Sequence, residues 1–140
     1  MDREQQTYFG TFLPAQNHGD ELVSIAQQRI EKSYQEAGTI EDLIQDLPSS
    51  RRNVVRRFKH ATGLTPIEYL QKTRIEAAKK LLEQTNQRML EVMLSSGYND
   101  PKAFRKVFRK TVGMTPTEYR DKFRMNRKID TGLKSTLKVA

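Results

Sequence analysis

The sequence predicts an all-α chain. One helical module is written twice, the copies are joined by a long central helix, and an extra helix precedes them. Three observations carry this reading. The phrase GLTPIEYL at Gly63–Leu70 returns as GMTPTEYR at Gly113–Arg120, 50 residues later. Apolar residues recur at helical spacing. The charge is also divided. Residues 1–50 hold 3 basic and 9 acidic side chains, whereas residues 51–128 hold 20 basic and 7 acidic, in a 140-residue chain whose net charge is only +8.

Residues 1–19 show no helical period. They hold Gly10, Pro14, His18 and Gly19 and a short apolar patch of Tyr8, Phe9, Phe12 and Leu13, which reads as a linker or docking arm. A helix is expected over 20–38. Its stripe is Leu22, Val23, Ala26, Ile30, Tyr34 and Ala37, and Gly38 is its stop. The first module with its connecting helix spans 39–84. Thr39 and Asp42 have capping-box spacing and open a short helix at about 40–46. Leu47-Pro48-Ser49 breaks it. Ser50 caps a second helix that buries Val54 and Phe58 and runs to about Thr62, where Gly63 supplies a left-handed end.

The repeated phrase is then a helix end, a turn and a helix start. Thr65 is the N-cap, Pro66 sits at N1 and Glu68 at N3, so each cap residue can bond the other's backbone amide. Thr115, Pro116 and Glu118 repeat the arrangement. A slide of 50 residues also sets Phe58 on Phe108, Val54 on Phe104 and Glu41 on Glu91, as a duplicated module requires. The second module is placed at 85–125. It has a short helix at Leu90–Ser95, a turn at Gly97-Tyr98-Asn99, and a basic helix capped by Asp100 with Pro101 at N1. Residues 126–140 are expected to form a flexible tail. The central helix, about Pro66 to Gln84, takes its apolar face from Ile67, Leu70, Ala77, Leu81 and Leu82. It would be ~28 Å long at the α-helical rise. That is close to the ~34 Å between successive major grooves on one face of DNA.

A basic stretch of this kind suits a polyanion, because each neutralised phosphate releases counterions; a merely solvated basic surface is the plainer alternative. The first basic helix can turn Arg51, Arg52, Val55 and Arg56 outward near its N-terminus, with Arg57 and Lys59 beside the nucleic-acid backbone. The second can turn out Lys102, Arg105 and Lys106, with Arg109 and Lys110 further along. Recognition helices read base edges from their N-terminal residues, and arginine or lysine on guanine is the commonest specific contact. Ser50, Thr65 and Thr115 are further candidates for phosphate contact. Lys72, Arg74, Lys79 and Lys80 on the central helix are expected either to touch phosphates or to face solvent. Phe58, Phe104, Phe108, Tyr69 and Tyr119 have the spacing of packing residues.

The absent residue types bound the chemistry. The chain has no cysteine, hence no disulfide, thiolate metal site or thiol nucleophile. His18 and His60 are isolated. No glycine-rich phosphate loop, nucleophile elbow or paired acidic cluster occurs. An enzyme is not expected, and no cofactor is called for. No apolar run reaches membrane-span length, and MDREQQ is not a signal peptide, so the expected location is the cytosol.

With the two basic helices and the repeated phrase in place, residues of about 39–124 resemble the DNA-binding domain of AraC/XylS-type transcriptional regulators. GYNDPKAFRKVFRKTVGMTPTEYR, Gly97–Arg120, is similar to that family's signature stretch, and RRFKHATGLTPIEYLQKTRIEAAKKLL, Arg56–Leu82, to its first half. The resemblance implies seven helices in two homeodomain-like helix-turn-helix subdomains. It places the base readers on Arg51, Arg52, Val55 and Arg56 and on Pro101, Lys102, Arg105 and Lys106. Double-stranded DNA is the implied partner, with RNA polymerase as a second in an activator of a bacterial cytosol. Ile44 and Met93 stand where the family usually has a small residue, and Leu47-Pro48 replaces glycine in the first turn. The stretch REQQTYFGTFLPAQNHGDELVSIAQQRIE resembles the junction in regulators whose N-terminal domain is amidotransferase-like, of the ThiJ/PfpI type, which implies an effector domain outside this chain. Two further readings stay open: a sequence-blind architectural or RNA-binding module, and an interaction module in which the helix at 20–38 forms a weak homodimer.

Overall fold

The computed structural model describes residues 19–36 and 38–139, with side chains described to residue 127. The arm at 1–18, with Tyr8, Phe9, Phe12, Leu13 and His18, and also Ala37, lie outside the described residues. Within them all regular structure is helical: α1 Glu21–Ser33, α2 Ile40–Ile44, α3 Arg51–Thr62, α4 Pro66–Gln84, α5 Met89–Ser95, α6 Pro101–Val112 and α7 Pro116–Val139.

Local chemistry sets most boundaries. Ser50 Oγ accepts from the Asn53 amide and opens α3. Gly63 and Gly113, at φ 84° and 93°, end α3 and α6. The capping boxes of the repeated phrase are the same to 0.1 Å. The Thr65 amide donates to Glu68 Oε1 at 2.9 Å and the Glu68 amide to Thr65 Oγ1 at 3.2 Å. Thr115 and Glu118 give 2.9 Å and 3.2 Å. These backbone bonds hold both glutamate carboxyls below their ordinary pKa of 4.5.

Two apolar cores form along α4. The first gathers Leu22, Val23, Ala26 and Ile30 of α1, Ile40 and Ile44 of α2, Val54 and Phe58 of α3, and Tyr69 and Leu70 of α4. The second gathers Ile75, Ala78 and Leu82 of α4 with Val92 and Met93 of α5, Tyr98, and Phe104 and Phe108 of α6. Phe58 meets Tyr69 edge-on at 5.4 Å, and Phe108 meets Tyr119 at 5.8 Å. Phe58, Tyr69 and Phe108 are fully buried, each at a gain of roughly 1.5–3 kcal/mol. The tyrosine hydroxyls repeat as well. Tyr69 donates to Glu31 on α1, and Tyr119 to Glu83 on α4. Helix α1 thus serves the first unit as α4 serves the second, so α4 closes one unit and founds the next.

Four expectations are corrected. First, α1 ends at Ser33 rather than at Gly38. Arg74 of α4 collects the carbonyls of Tyr34, Glu36 and Gly38, which turns the chain away before the glycine. Second, Arg74 neither reaches for phosphate nor faces solvent; it is 8% exposed, and burial lowers its pKa. Third, the buried face of α4 is Tyr69, Leu70, Thr73, Arg74, Ile75, Ala78 and Leu82, while Ile67 is 49% exposed. A helix that feeds two cores does not keep a single stripe. Fourth, the boundary expected at 126 falls inside α7, whose backbone continues to Val139.

Candidate nucleic-acid interface

Each unit sets its basic helix after a tight turn. The turns differ. Residues 96–100 join α5 to α6 through Gly97 at φ 103°, whereas residues 45–50 join α2 to α3 with no left-handed residue. Leu47 tucks under that wider turn and is buried. Ile44 and Met93, which replace the small residue of the resembled family, are both buried in the cores.

The inward face of α3 is Val54 and Phe58, and that of α6 is Phe104 and Phe108. This fixes what faces out. Arg51, Arg52 and Arg56 are exposed, Val55 is half-buried, and the four line one shallow depression. Pro101, Lys102, Arg105 and Lys106 are exposed. Pro101 and Arg105 share a second depression with Leu90, Met93 and Thr115. Lys102 and Lys106 lie outside it. Of the residues expected at phosphates, Ser50, Lys59, Arg109 and Lys110 are exposed, and Arg57, Thr65 and Thr115 are half-buried. Both threonine hydroxyls accept a cap bond, which leaves their hydrogens able to donate outward.

The two basic helices differ in electrostatic setting, and the spacing of residues gave no sign of it. Arg51 pairs with Glu41 of α2, at 2.8 Å through Nε and 2.6 Å through Nη2. Arg57 forks onto Asp20, the N-cap of α1, with bonds of 3.1 and 2.8 Å. Arg56 donates to Asn53. Among the described residues no carboxylate pairs with Lys102, Arg105 or Lys106. The carboxylates on α3 come from 10 and 37 residues away. Helical periodicity carries no signal at such separations, so only the folded arrangement reveals them.

The comparisons match this architecture. A helix-turn-helix domain family matches residues 43–122. The bifunctional transcriptional activator/DNA repair enzyme AdaA of Bacillus subtilis (strain 168) is 33% identical over 105 residues, 75% of this chain and 50% of that protein. The lactose operon transcription activator of Staphylococcus xylosus is 32% identical over 109 residues, 78% of this chain and 39% of that one. The chain spans half or less of the length of such relatives. Among solved structures, the DNA-binding domain of the global transcriptional factor AdpA, in complex with a target DNA, has a TM-score of 0.70 and 32% identity, covering 79% of this chain and 98% of that one. The C-terminal domain of AraT, a response regulator from Geobacillus stearothermophilus, gives a TM-score of 0.70 and 30% identity over 74% of this chain and 86% of that one. Family match and structural likeness meet on the same pair of units, and the chain belongs to the AraC-type helix-turn-helix transcriptional regulators.

Proposed function

We propose that the chain binds duplex DNA sequence-specifically, with α3 and α6 reading two major-groove segments about one helical turn apart. The observation that carries the reading is the pairing of two capped basic helices on one 19-residue rod, each with its aromatic face buried and its N-terminal cations exposed. Phosphate contacts from Ser50, Lys59, Thr65, Arg109, Lys110 and Thr115 set the register, and base contacts set the sequence. The solved AdpA domain was found on a target DNA, which supports carrying DNA over as the partner. Several relatives are named activators, which favours a role in switching transcription on, with RNA polymerase as the protein partner. The bacterial cytosol is the compartment that goes with this role. Among the described residues no helix is long and apolar enough to cross a membrane.

Selection from a random duplex library at physiological salt tests the reading. Enrichment of two short elements is expected. Binding without enrichment and with a steep salt dependence would favour a sequence-blind module instead. On the enriched duplex, Arg105→Ala should weaken binding by roughly 1–3 kcal/mol at one base position and relax the preference there. An equal loss on every sequence would move Arg105 to the phosphates.

A further inference from the structure

The two cores meet α4 at different heights. Tyr69 and Leu70 join the first; Ile75, Ala78 and Leu82 join the second. Thr73 and Arg74 lie between them, buried and polar. Arg74 Nε donates to the Tyr34 carbonyl at 2.9 Å, and Nη2 donates to those of Glu36 at 2.9 Å and Gly38 at 3.3 Å. All three acceptors belong to the end of α1 and the loop before α2, within the first unit. The same guanidinium stands 5.4 Å from the centroid of Tyr98, in the α5–α6 turn of the second unit. The turn's backbone closes on this point too. A Cβ on Gly97 would lie 2.2 Å from the Tyr34 carbonyl oxygen and 2.7 Å from Arg74 Nε.

We infer that Arg74 is a latch between the two units, a positioning residue that fixes the angle between α3 and α6 and so the spacing of the two DNA elements. The inference rests on the two-reader function proposed above. Apolar packing on α4 is non-directional and tolerates small rotations of either unit. A planar guanidinium bonding three carbonyls and held 5.4 Å from the centroid of an aromatic ring is directional. Lysine keeps the charge and loses the fork. One base pair turns the duplex by about 34–36°, so modest slack between the units is enough to blur a spacing preference. Arg120 supplies the internal control. Its guanidinium bonds the carbonyls of Leu82, Thr85 and Gln87, all within the second unit or its founding helix, so it does not bridge the two units.

The test is binding to duplexes that carry both selected elements with the spacer changed by one or two base pairs either way, for wild type, Arg74→Lys, Tyr98→Leu and Arg120→Lys. Urea unfolding monitors the fold of each. Wild type should favour one spacer over its neighbours by roughly tenfold, the scale of losing one base-pair contact. Arg74→Lys and Tyr98→Leu should flatten that preference to about twofold while each element alone is bound as before. Arg120→Lys should keep the wild-type profile at whatever stability it retains. If Arg74→Lys does not fold, Tyr98→Leu decides. A wild type indifferent to spacing overturns the two-reader function and the latch with it. A wild-type preference that survives unchanged in the folded latch variants overturns the latch alone.

Discussion

At the residue scale, the two basic helices carry the same kind of side chain in different surroundings. Arg51 and Arg57 of α3 have carboxylates against them, and Lys102, Arg105 and Lys106 of α6 have none among the described residues. The Arg51–Glu41 pair is solvent-exposed, at 61% and 50%. Such a pair is worth about 0–1 kcal/mol, so a phosphate or a guanine can displace the carboxylate at little expense. Under the proposed function, Glu41 nevertheless subtracts from the field that would draw DNA to the first unit. Glu41→Gln should tighten duplex binding by about two- to fivefold at low salt and steepen the salt dependence by up to about one released counterion. Fluorescence anisotropy across a salt series reads both quantities. No change in either would mean that Arg51 stands away from the DNA. The fold should be indifferent to the change, because removing an exposed pair shifts stability by less than about 1 kcal/mol.

At the element scale, the repeated phrase is a pair of helix starts, and its energetic weight is that of a cap. Thr65→Ala and Thr115→Ala should each lower stability by about 1 kcal/mol in urea unfolding, near-additively in the double variant. The caps also carry a pH signature. The folded state holds the Glu68 and Glu118 carboxyls below 4.5, so their contribution is present above that pH and is lost as pH falls through the depressed values. Stability measured from pH 7 down to pH 3 should therefore decline below about 4.5, and less so in Glu68→Gln/Glu118→Gln. An identical decline in that variant would remove the caps from the explanation. These starts were legible in the sequence because a cap is written within four residues. Both bounds of α3 and the start of α4 follow from Ser50, Gly63 and Thr65 alone. The end of α1 was not legible, because Arg74 sets it from 40 residues away. The buried face of α4 was misread at Ile67 and missed at Ile75 and Ala78, because one helix serves two cores in different directions, whereas Tyr69 was read as a packing residue and is buried. The outward faces of α3 and α6 were readable from Val54, Phe58, Phe104 and Phe108; the partners of Arg51 and Arg57 were not.

At the scale of the whole molecule, the repeat runs deeper than its phrase. Tyr69–Glu31 and Tyr119–Glu83, and Phe58–Tyr69 and Phe108–Tyr119, each occur once per unit. Sharing α4 places two copies of one reading unit on one rod of ~28 Å. Under the proposed function, a single chain would therefore span two grooves without a second copy. The central claim is that both α3 and α6 lie in major grooves. Protection of guanine N7 from methylation, on the duplex that selection enriches, measures this most directly because N7 is exposed in that groove alone. The expected result is two protected clusters about 10–10.5 base pairs apart, one lost in Arg105→Ala and the other in Arg52→Ala. A single protected cluster, or protection left intact by both substitutions, would contradict it.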